Sequence, residues 1–187
     1  MGKVYDAIDS RLQDLLERQH VFFVATAPLD AQGHINLSPK GLDSFRVLGP
    51  RRVAYLDLTG SGVETIAHLR ENARIVLMFC AFAGAPKIVR LHGRGAVLEP
   101  DHADFEELRG RFPEHPGVRA VIAVELERIS DSCGYGVPVY EFSKPRETLS
   151  EWTGRKSAAE LEAYRAQHNA RSIDGLPGLG ARGRARG

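Results

Sequence analysis

Two different spacings of hydrophobic residues alternate along this chain. Some runs are rich in β-branched and aromatic residues or alternate apolar and polar positions, and turns containing Gly, Pro and Asp separate them, which is the pattern of antiparallel strands. These runs cover a stretch beginning near residue 34 and residues 21–27, 45–48, 52–58, 75–82, 87–98 and 119–129. The pattern predicts a mainly β protein, a small antiparallel barrel with flanking helices, and not a doubly wound parallel sheet.

Four other stretches place apolar residues three and four positions apart, as on one face of a helix. They lie at residues 5–18, 63–69, 101–108 and 157–168. Asp101 is placed to cap the third helix, and Ser157 with Glu160 forms a capping box that opens the fourth. We expect these helices to pack between and beside the strands.

The composition changes after about residue 130, which suggests how the chain is organised. We expect a barrel domain with its N-terminal helix over residues 1–130, a loop and helix extension over 131–175 that packs on the barrel or on a partner subunit, and a flexible tail over 176–187. The tail carries Arg182, Arg184 and Arg186 between glycines and alanine. Such a short basic run is compatible with RNA contact, but we favour a solvated tail.

Charge and cysteine content narrow the classes of function. Among 187 residues, 25 Lys and Arg balance 24 Asp and Glu, which gives no broad electrostatic attraction to nucleic acid or to an anionic membrane. The two cysteines, Cys80 and Cys133, and the seven histidines show no metal-ligand spacing. No apolar run is long enough to span a bilayer. We expect a cytoplasmic protein that acts on a small molecule and holds no metal.

Two short polar segments are candidates for binding an anion. The first follows a predicted strand and comprises Ser38, Pro39, Lys40 and Gly41. A lysine at a strand end suits a phosphate, and glycine allows close approach to the backbone. The alternative interpretation is an ordinary turn with an exposed lysine.

The second segment precedes a predicted helix and comprises Thr59, Gly60 and Ser61, followed by Gly62. Backbone N–H groups at a helix start, flanked by hydroxyls, can hold an anion without much side-chain charge. The segment lacks the lysine of a phosphate-binding P-loop and the third glycine of a dinucleotide fingerprint. The alternative interpretation is a plain helix with Ser61 as its N-cap.

Taken together, these segments resemble a known family. A strand ending in Ser-Pro-Lys-Gly, then an apolar strand, Thr-Gly-Ser-Gly-Val-Glu-Thr, a helix containing Leu69 and Asn72, and the strand Ile-Val-Leu-Met-Phe are similar to the pyridoxamine 5'-phosphate oxidase-like flavin-binding split barrels. The likeness extends to about Ile129, and the segments near residues 132–138 and 169–178 resemble a poorly characterised branch. It implies a split-barrel fold and a homodimer with FMN in two equivalent clefts between the subunits.

The resemblance also implies roles for individual residues. Glu64 and Thr65 stand where the true oxidase carries an Arg-Lys pair for the FMN phosphate, so that two charge-assisted contacts are missing here. Phosphate binding is then expected to rest on Lys40, Thr65 and backbone amides, with Arg90 as a compensating cation. The expected cofactor residues are Ser38, Pro39, Lys40, Gly41, Thr59, Gly60, Ser61, Thr65 and Arg90.

The resemblance implies a flavin-dependent oxidoreductase acting on an unidentified small molecule. Pyridoxamine phosphate itself is not the expected substrate, because the oxidase's substrate-contacting arginine and histidine near the C-terminus have no counterpart here. Tyr135 and Arg171 with Ser172 are expected to line the substrate side of the cleft or to tie the dimer together, and Cys133 is interpreted as a structural thiol. Three alternatives stay open: coenzyme F420 as the cofactor, a binding protein for FMN, haem or another ligand without turnover, and a dimeric scaffold with an empty cleft. No catalytic side chain is assigned.

Overall fold

A single antiparallel sheet organises the protein. The computed structural model describes residues 2–180, and within them eight strands form one sheet. The strands are β1 (Val4–Tyr5), β2 (Phe22–Thr26), β3 (Asn36–Lys40), β4 (Phe45–Gly49), β5 (Arg52–Leu58), β6 (Arg74–Cys80), β7 (Ile88–Leu98) and β8 (Val118–Ser132). Their spatial order is β3-β2-β6-β7-β8-β5-β4, and β1 pairs with β8. This confirms the predicted mainly β fold of the split-barrel type.

Five helices accompany the sheet in the described part of the chain. They are α1 (Ser10–Glu17), α2 (Glu64–Asn72), α3 (Phe105–Arg109), α4 (Thr148–Gly154) and α5 (Ala158–His168). The capping box predicted for α5 is present, because the Ser157 and Glu160 side chains each bond the other's backbone N–H. That arrangement satisfies donors that a helix start otherwise leaves without partners.

Three details of the helix predictions are wrong. Residues 4 and 5 form β1, and α1 begins only after Asp9, whose carboxylate accepts the Leu12 N–H at 2.8 Å. Asp104, not Asp101, occupies the N-cap of α3. Helix α4 was not predicted, because its seven residues hold only one apolar pair at helical spacing, Leu149 and Trp152, which is too short a pattern to indicate a helix.

The central strands are buried on both faces, which explains why their sequences are almost continuously apolar. In β5, Val53 and Tyr55 face the main core, whereas Ala54 and Leu56 face a second cluster that α3 covers with Phe105 and other side chains. Strand β8 is divided between the two clusters in the same way. The barrel therefore has a rigid centre on which its strand ends can be held in fixed positions.

The long strands bend where β7 and β8 shift register. The shift lies between His92 and Gly93 on β7. A Cβ atom at Gly93 would lie 2.1 Å from the Glu125 carbonyl oxygen, so only glycine lets the two backbones approach this closely. The bend curves the sheet around the core.

The C-terminal residues beyond α5 pack back onto the barrel. Residues 169–180 form a short hairpin-like segment, the C-terminal strap, in which the N–H of Gly178 donates to Ala170 and that of Leu179 to Asn169. Residues 176–180 were predicted to belong to a flexible tail, but these hydrogen bonds hold them in place. Residues 181–187, with the three arginines of the predicted tail, lie outside the described residues.

Both cysteines of the protein are free thiols. Cys80 is buried and Cys133 is exposed, and neither forms a disulfide. Within residues 2–180, no group of three or more His, Cys, Asp or Glu side chains could hold a metal ion. No helix in that range is long and apolar enough to cross a membrane.

Candidate functional site

The end of β3 meets β5 and the start of β8 in a cluster of charged side chains. Lys40 Nζ lies 3.2 Å from Asp57 Oδ1, and Arg119 Nε lies 2.7 Å from Asp57 Oδ2. Lys40 is the last residue of β3, Asp57 precedes the end of β5, and Arg119 is the second residue of β8. The fold thus brings Lys40, from the first predicted anion-binding segment, next to the strand that leads into the second.

Asp57 is a fully buried carboxylate that carries its charge. Burial alone would raise its pKa, but Lys40 and Arg119 outweigh that effect and lower the pKa below its usual value. Arg119 is only 5% exposed, and its Nη1 atom has no hydrogen-bond partner. The hydroxyl of Ser38, also on β3, is buried without a partner as well. Buried donors without partners are rare, so these two atoms point to something that the protein chain alone does not supply.

A third cation reaches this end of the barrel from α5. The N–H and hydroxyl of Thr59 both donate to the Gly117 carbonyl, at 2.7 and 2.9 Å. Arg165 Nε donates to the Thr59 hydroxyl at 2.9 Å, and its Nη2 donates to the Val118 carbonyl at 3.0 Å. Burial, and then the positive charge of Arg119, lower the pKa of Arg165. The two guanidinium groups therefore repel each other across the site.

A second polar network ties β3 to α2. Asn36 Nδ2 donates to the hydroxyls of Thr65 and Thr26, at 2.9 and 3.1 Å. The Thr26 hydroxyl in turn lies 2.9 Å from His68 Nδ1, and burial lowers the pKa of that histidine. Thr65, one of the predicted cofactor residues, is buried and takes part in this network. Its visible role is to fix the start of α2 against the sheet.

The loop between β5 and α2 is held by the C-terminal strap. The carbonyl of Gly60 accepts a hydrogen bond from Asn169 Nδ2 at 2.9 Å. Ser61 is exposed, and it does not cap α2, whose N-cap is Val63 with no side-chain hydrogen bond. The alternative interpretation of this segment as a helix capped by Ser61 is therefore wrong.

Glu64, at the position where the resemblance expects a cation, contacts the strap instead. Its Oε1 atom accepts the N–H of Ile173 at 3.2 Å. Gly178 of the strap packs against the same region, since a Cβ atom there would lie 2.8 Å from a methyl carbon of Val63. The strap is also fastened by Asp174, which binds His34 at 2.6 Å. The start of α2 is thus covered by chain that follows the barrel in sequence.

The structure does not bring Arg90 to the charged cluster. Leu91 and Val89 point into the core, so Arg90 lies on the opposite, outer face of β7, where it donates to the Ser132 hydroxyl at 3.0 Å. On β3, Pro39 lies on the outer face of the sheet as well. Lys40 pairs with the core residue Phe22 and points inward. Gly41 lies beside His20, and a Cβ atom there would be 3.1 Å from its carbonyl oxygen.

The remaining candidates belong to the C-terminal extension. Tyr135 is 82% exposed in the glycine-containing loop after β8. Further along that loop, Phe142 stacks on His20, with ring centroids 3.6 Å apart, close to the end of β3. Arg171 donates to the Gly175 carbonyl within the strap, and Ser172 is buried there. Arg171 and Ser172 therefore shape the strap, while the loop borders the Lys40 end of the barrel.

The family of the chain follows from a direct sequence match. The family model described as pyridoxamine 5'-phosphate oxidase matches residues 8–133, which is most of the sheet. The chain belongs to the pyridoxamine 5'-phosphate oxidase family. The match ends shortly after β8, so Arg165 on α5 and Asp174 in the strap lie outside it.

Related proteins support the assignment and extend it past the barrel. The chain is 42% identical, over 195 aligned residues, to the pyridoxamine 5'-phosphate oxidase family protein ustO of Aspergillus flavus, covering 94% of this chain and 77% of that protein. Because so much of this chain is aligned, the similarity includes the C-terminal extension.

Solved structures show the same fold. HupZ of Group A Streptococcus has a TM-score of 0.50 at 26% identity, covering 65% of this chain and 91% of that one. A variant of HupZ has a TM-score of 0.52 at 24% identity, covering 67% and 99%. The likeness concerns about two thirds of this chain.

Proposed function

We propose that the protein binds FMN at the Lys40 end of the barrel and is an oxidoreductase that acts on a small molecule. The observation that carries the proposal is the pairing of Lys40 and Arg119 with one buried carboxylate, Asp57, while Arg165 bonds Thr59 at the nearby turn that precedes α2. An excess of buried positive charge favours a ligand that carries phosphate. Membership of the family makes a phosphorylated flavin the natural candidate.

The proposed residues fit the cofactor by their chemistry. Lys40 would hold phosphate, and the unpartnered Ser38 hydroxyl would gain a partner when the ligand binds. The bound flavin would supply the electron transfer, while the protein orients it and shapes the cleft for the substrate.

The absorbance spectrum of the purified protein tests the cofactor. We expect the yellow absorption of oxidised flavin, or quenching of FMN fluorescence when FMN is titrated into the colourless protein. Parallel titrations with coenzyme F420 and with haem separate the alternatives on the same scaffold. Saturable binding of F420 or haem together with no response to FMN would refute the cofactor assignment while leaving the family intact.

A second candidate function is binding of FMN without turnover. It is favoured by the contacts at the start of α2, where Glu64 binds the strap and Thr65 binds Asn36. Neither side chain is then available to contact the phosphate of the ligand. Anaerobic addition of NADH or NADPH, followed by candidate electron acceptors, distinguishes the two functions. Steady turnover with any acceptor supports the oxidoreductase, whereas bound flavin that is never reduced supports the passive binder.

We propose that the protein also forms a homodimer, because it exposes an apolar surface at one edge of the sheet. Strand β3 lies at an edge of the sheet, and Ile35 and Leu37 on and beside it are 77% and 65% exposed. Leu37 pairs with the half-buried Ala25 of β2, so the surface continues onto the outer face of the sheet. Exposed apolar area at a sheet edge is a liability in a monomer and is usually covered by a partner.

We expect Leu37→Lys to convert the dimer to monomers at micromolar concentration. A charge in the centre of an apolar interface loses its hydration without gaining a partner. Light scattering coupled to gel filtration measures the mass directly. The matched control is Leu29→Lys, because Leu29 is 63% exposed but lies in the loop after β2. A Leu37→Lys protein that elutes with the same mass as Leu29→Lys would contradict this interface.

A further inference from the structure

The charge balance at the Lys40 end of the barrel is uneven. Lys40 and Arg119 share the single carboxylate of Asp57, and Arg165 bonds only uncharged oxygens there. Glu162 on α5 attracts Arg165 but is exposed and makes no ion pair with it within the described residues. Two cations therefore share one buried anion, and a third cation, Arg165, lies near enough to Arg119 to be repelled by it.

The hydrogen bonding of Arg119 is incomplete in the same place. Its Nε atom is used by Asp57, whereas Nη1 is buried and has no acceptor. A guanidinium group that is only 5% exposed normally has its donors satisfied. An oxyanion placed against Nη1 would satisfy the donor and would neutralise the repulsion between Arg119 and Arg165.

We propose that Arg119 and Arg165 form a phosphate-binding pair that replaces the Arg-Lys pair missing at Glu64 and Thr65. The ligand group is a phosphate monoester, and the inference rests on the proposed function in assigning it to FMN. The two arginines come from β8 and α5, so the pair is built partly by the extension that lies beyond the family match. Glu64 is then free to hold the strap without loss of phosphate affinity.

The position of the pair links the two predicted anion-binding segments. Arg119 contacts Asp57, which also binds Lys40 of the first segment, and Arg165 contacts Thr59 of the second. A phosphate held here would draw both strand ends together. Arg119 would contact it through the free Nη1, and Arg165 would act mainly through its charge, because its Nε and Nη2 already bond Thr59 and Val118.

Comparison of FMN with riboflavin, which lacks the phosphate, tests the pair. For the wild-type protein we expect FMN to bind more tightly than riboflavin. In Arg165→Gln and in Arg119→Lys, which keeps the charge next to Asp57 but loses the planar fork, we expect FMN affinity to fall about tenfold while riboflavin affinity is unchanged. Arg155→Gln, at the exposed C-cap position directly after α4, is the matched control and should alter neither affinity. Loss of FMN and riboflavin binding in equal proportion would show a merely structural role and overturn the proposal.

Inorganic phosphate supplies a second arm that does not depend on flavin. At constant ionic strength, we expect phosphate to raise the melting temperature of the flavin-free protein above that in chloride, and Arg165→Gln to lose the difference. If phosphate stabilises the wild type but no flavin binds, the pair stands and the proposed cofactor fails. If the variants lose the phosphate effect yet keep the FMN preference, the assignment to the cofactor is overturned. If FMN binds and phosphate acts equally on all variants, the pair is refuted and the flavoprotein stands.

Discussion

Asp57→Asn is expected to lower the free energy of unfolding by about 3–5 kcal/mol, the loss typical of breaking a buried ion pair from one side. The amide is nearly isosteric with the carboxylate, but it would leave Arg119 buried beside a neutral group. Lys40, with 20% of its side chain exposed, can turn toward solvent, whereas Arg119 at 5% cannot. The loss therefore comes mainly from the uncompensated guanidinium group.

Urea unfolding followed by far-ultraviolet circular dichroism measures this change. Asp43→Asn provides a matched control, because Asp43 also pairs with an arginine, Arg46, but its side chain is 64% exposed. Exposed pairs contribute little, so the control should lose less than about 1 kcal/mol. Combining Asp57→Asn with Arg119→Met removes both buried charges and should recover part of the loss. Equal losses at positions 57 and 43 would contradict the account of a buried ion cluster.

The wild type and Asp57→Asn should also differ in their dependence on pH. The pKa of Asp57 is lowered in the folded protein because Lys40 and Arg119 outweigh the effect of burial. A carboxylate whose pKa is lower in the folded state stabilises the fold at pH values above its unfolded-state pKa of about 3.9. This stabilisation is lost as the pH falls toward and through the lower, folded-state pKa. The difference in unfolding free energy between wild type and Asp57→Asn should therefore shrink below about pH 4.

Lys40→Ala is expected to weaken FMN binding about 100-fold. A charge-assisted contact to phosphate contributes roughly 1.5–3 kcal/mol, and the partly buried position of Lys40 favours the upper part of that range. Fluorescence titration with FMN measures the affinity at a temperature where the variant is folded. Riboflavin binding should change much less, because it lacks the group that Lys40 would hold.

Lys87→Ala is the control for Lys40→Ala. Lys87 also forms an ion pair, with Asp131 at 3.1 Å, but it precedes β7 and has no contact with the Lys40 cluster in the described residues. The Lys87→Ala substitution removes the same charge from the protein without changing the proposed site. If Lys40→Ala left the affinity for every tested ligand unchanged, the interpretation of the protein as an empty dimeric scaffold would be favoured.

The parts of the fold that follow local periodicity could be predicted from the sequence. Strand β5 occupies the predicted residues because both its faces are buried and its sequence is apolar almost throughout. The start of α5 was predicted because its capping box is contained in four consecutive residues. Strand β1 was missed, since two residues carry no periodic signal and their pairing partner lies far along the chain on β8.

The candidate site was predicted only in part, because much of it depends on contacts between distant residues. Lys40 and Thr59 were identified from their local segments. Arg119 was missed, although a charged residue directly before the apolar run 120–124 of β8 was an available signal. Arg165 could not be found in this way, because its contact with Thr59 spans 106 residues. Arg90 was proposed as a compensating cation on the condition that its side chain faces the cleft, and the alternation along β7 does not say which face that is.

The segments that close the Lys40 end of the barrel are synthesised after the barrel itself. All eight strands in the described residues precede α5 and the strap along the chain. During synthesis from the N-terminus, the barrel can therefore gather its core before Arg165 reaches Thr59 or Asn169 reaches Gly60. The nascent barrel would present an open, positively charged end until these later segments arrive, and a phosphorylated ligand that enters before then would be enclosed when α5 and the strap pack onto the barrel.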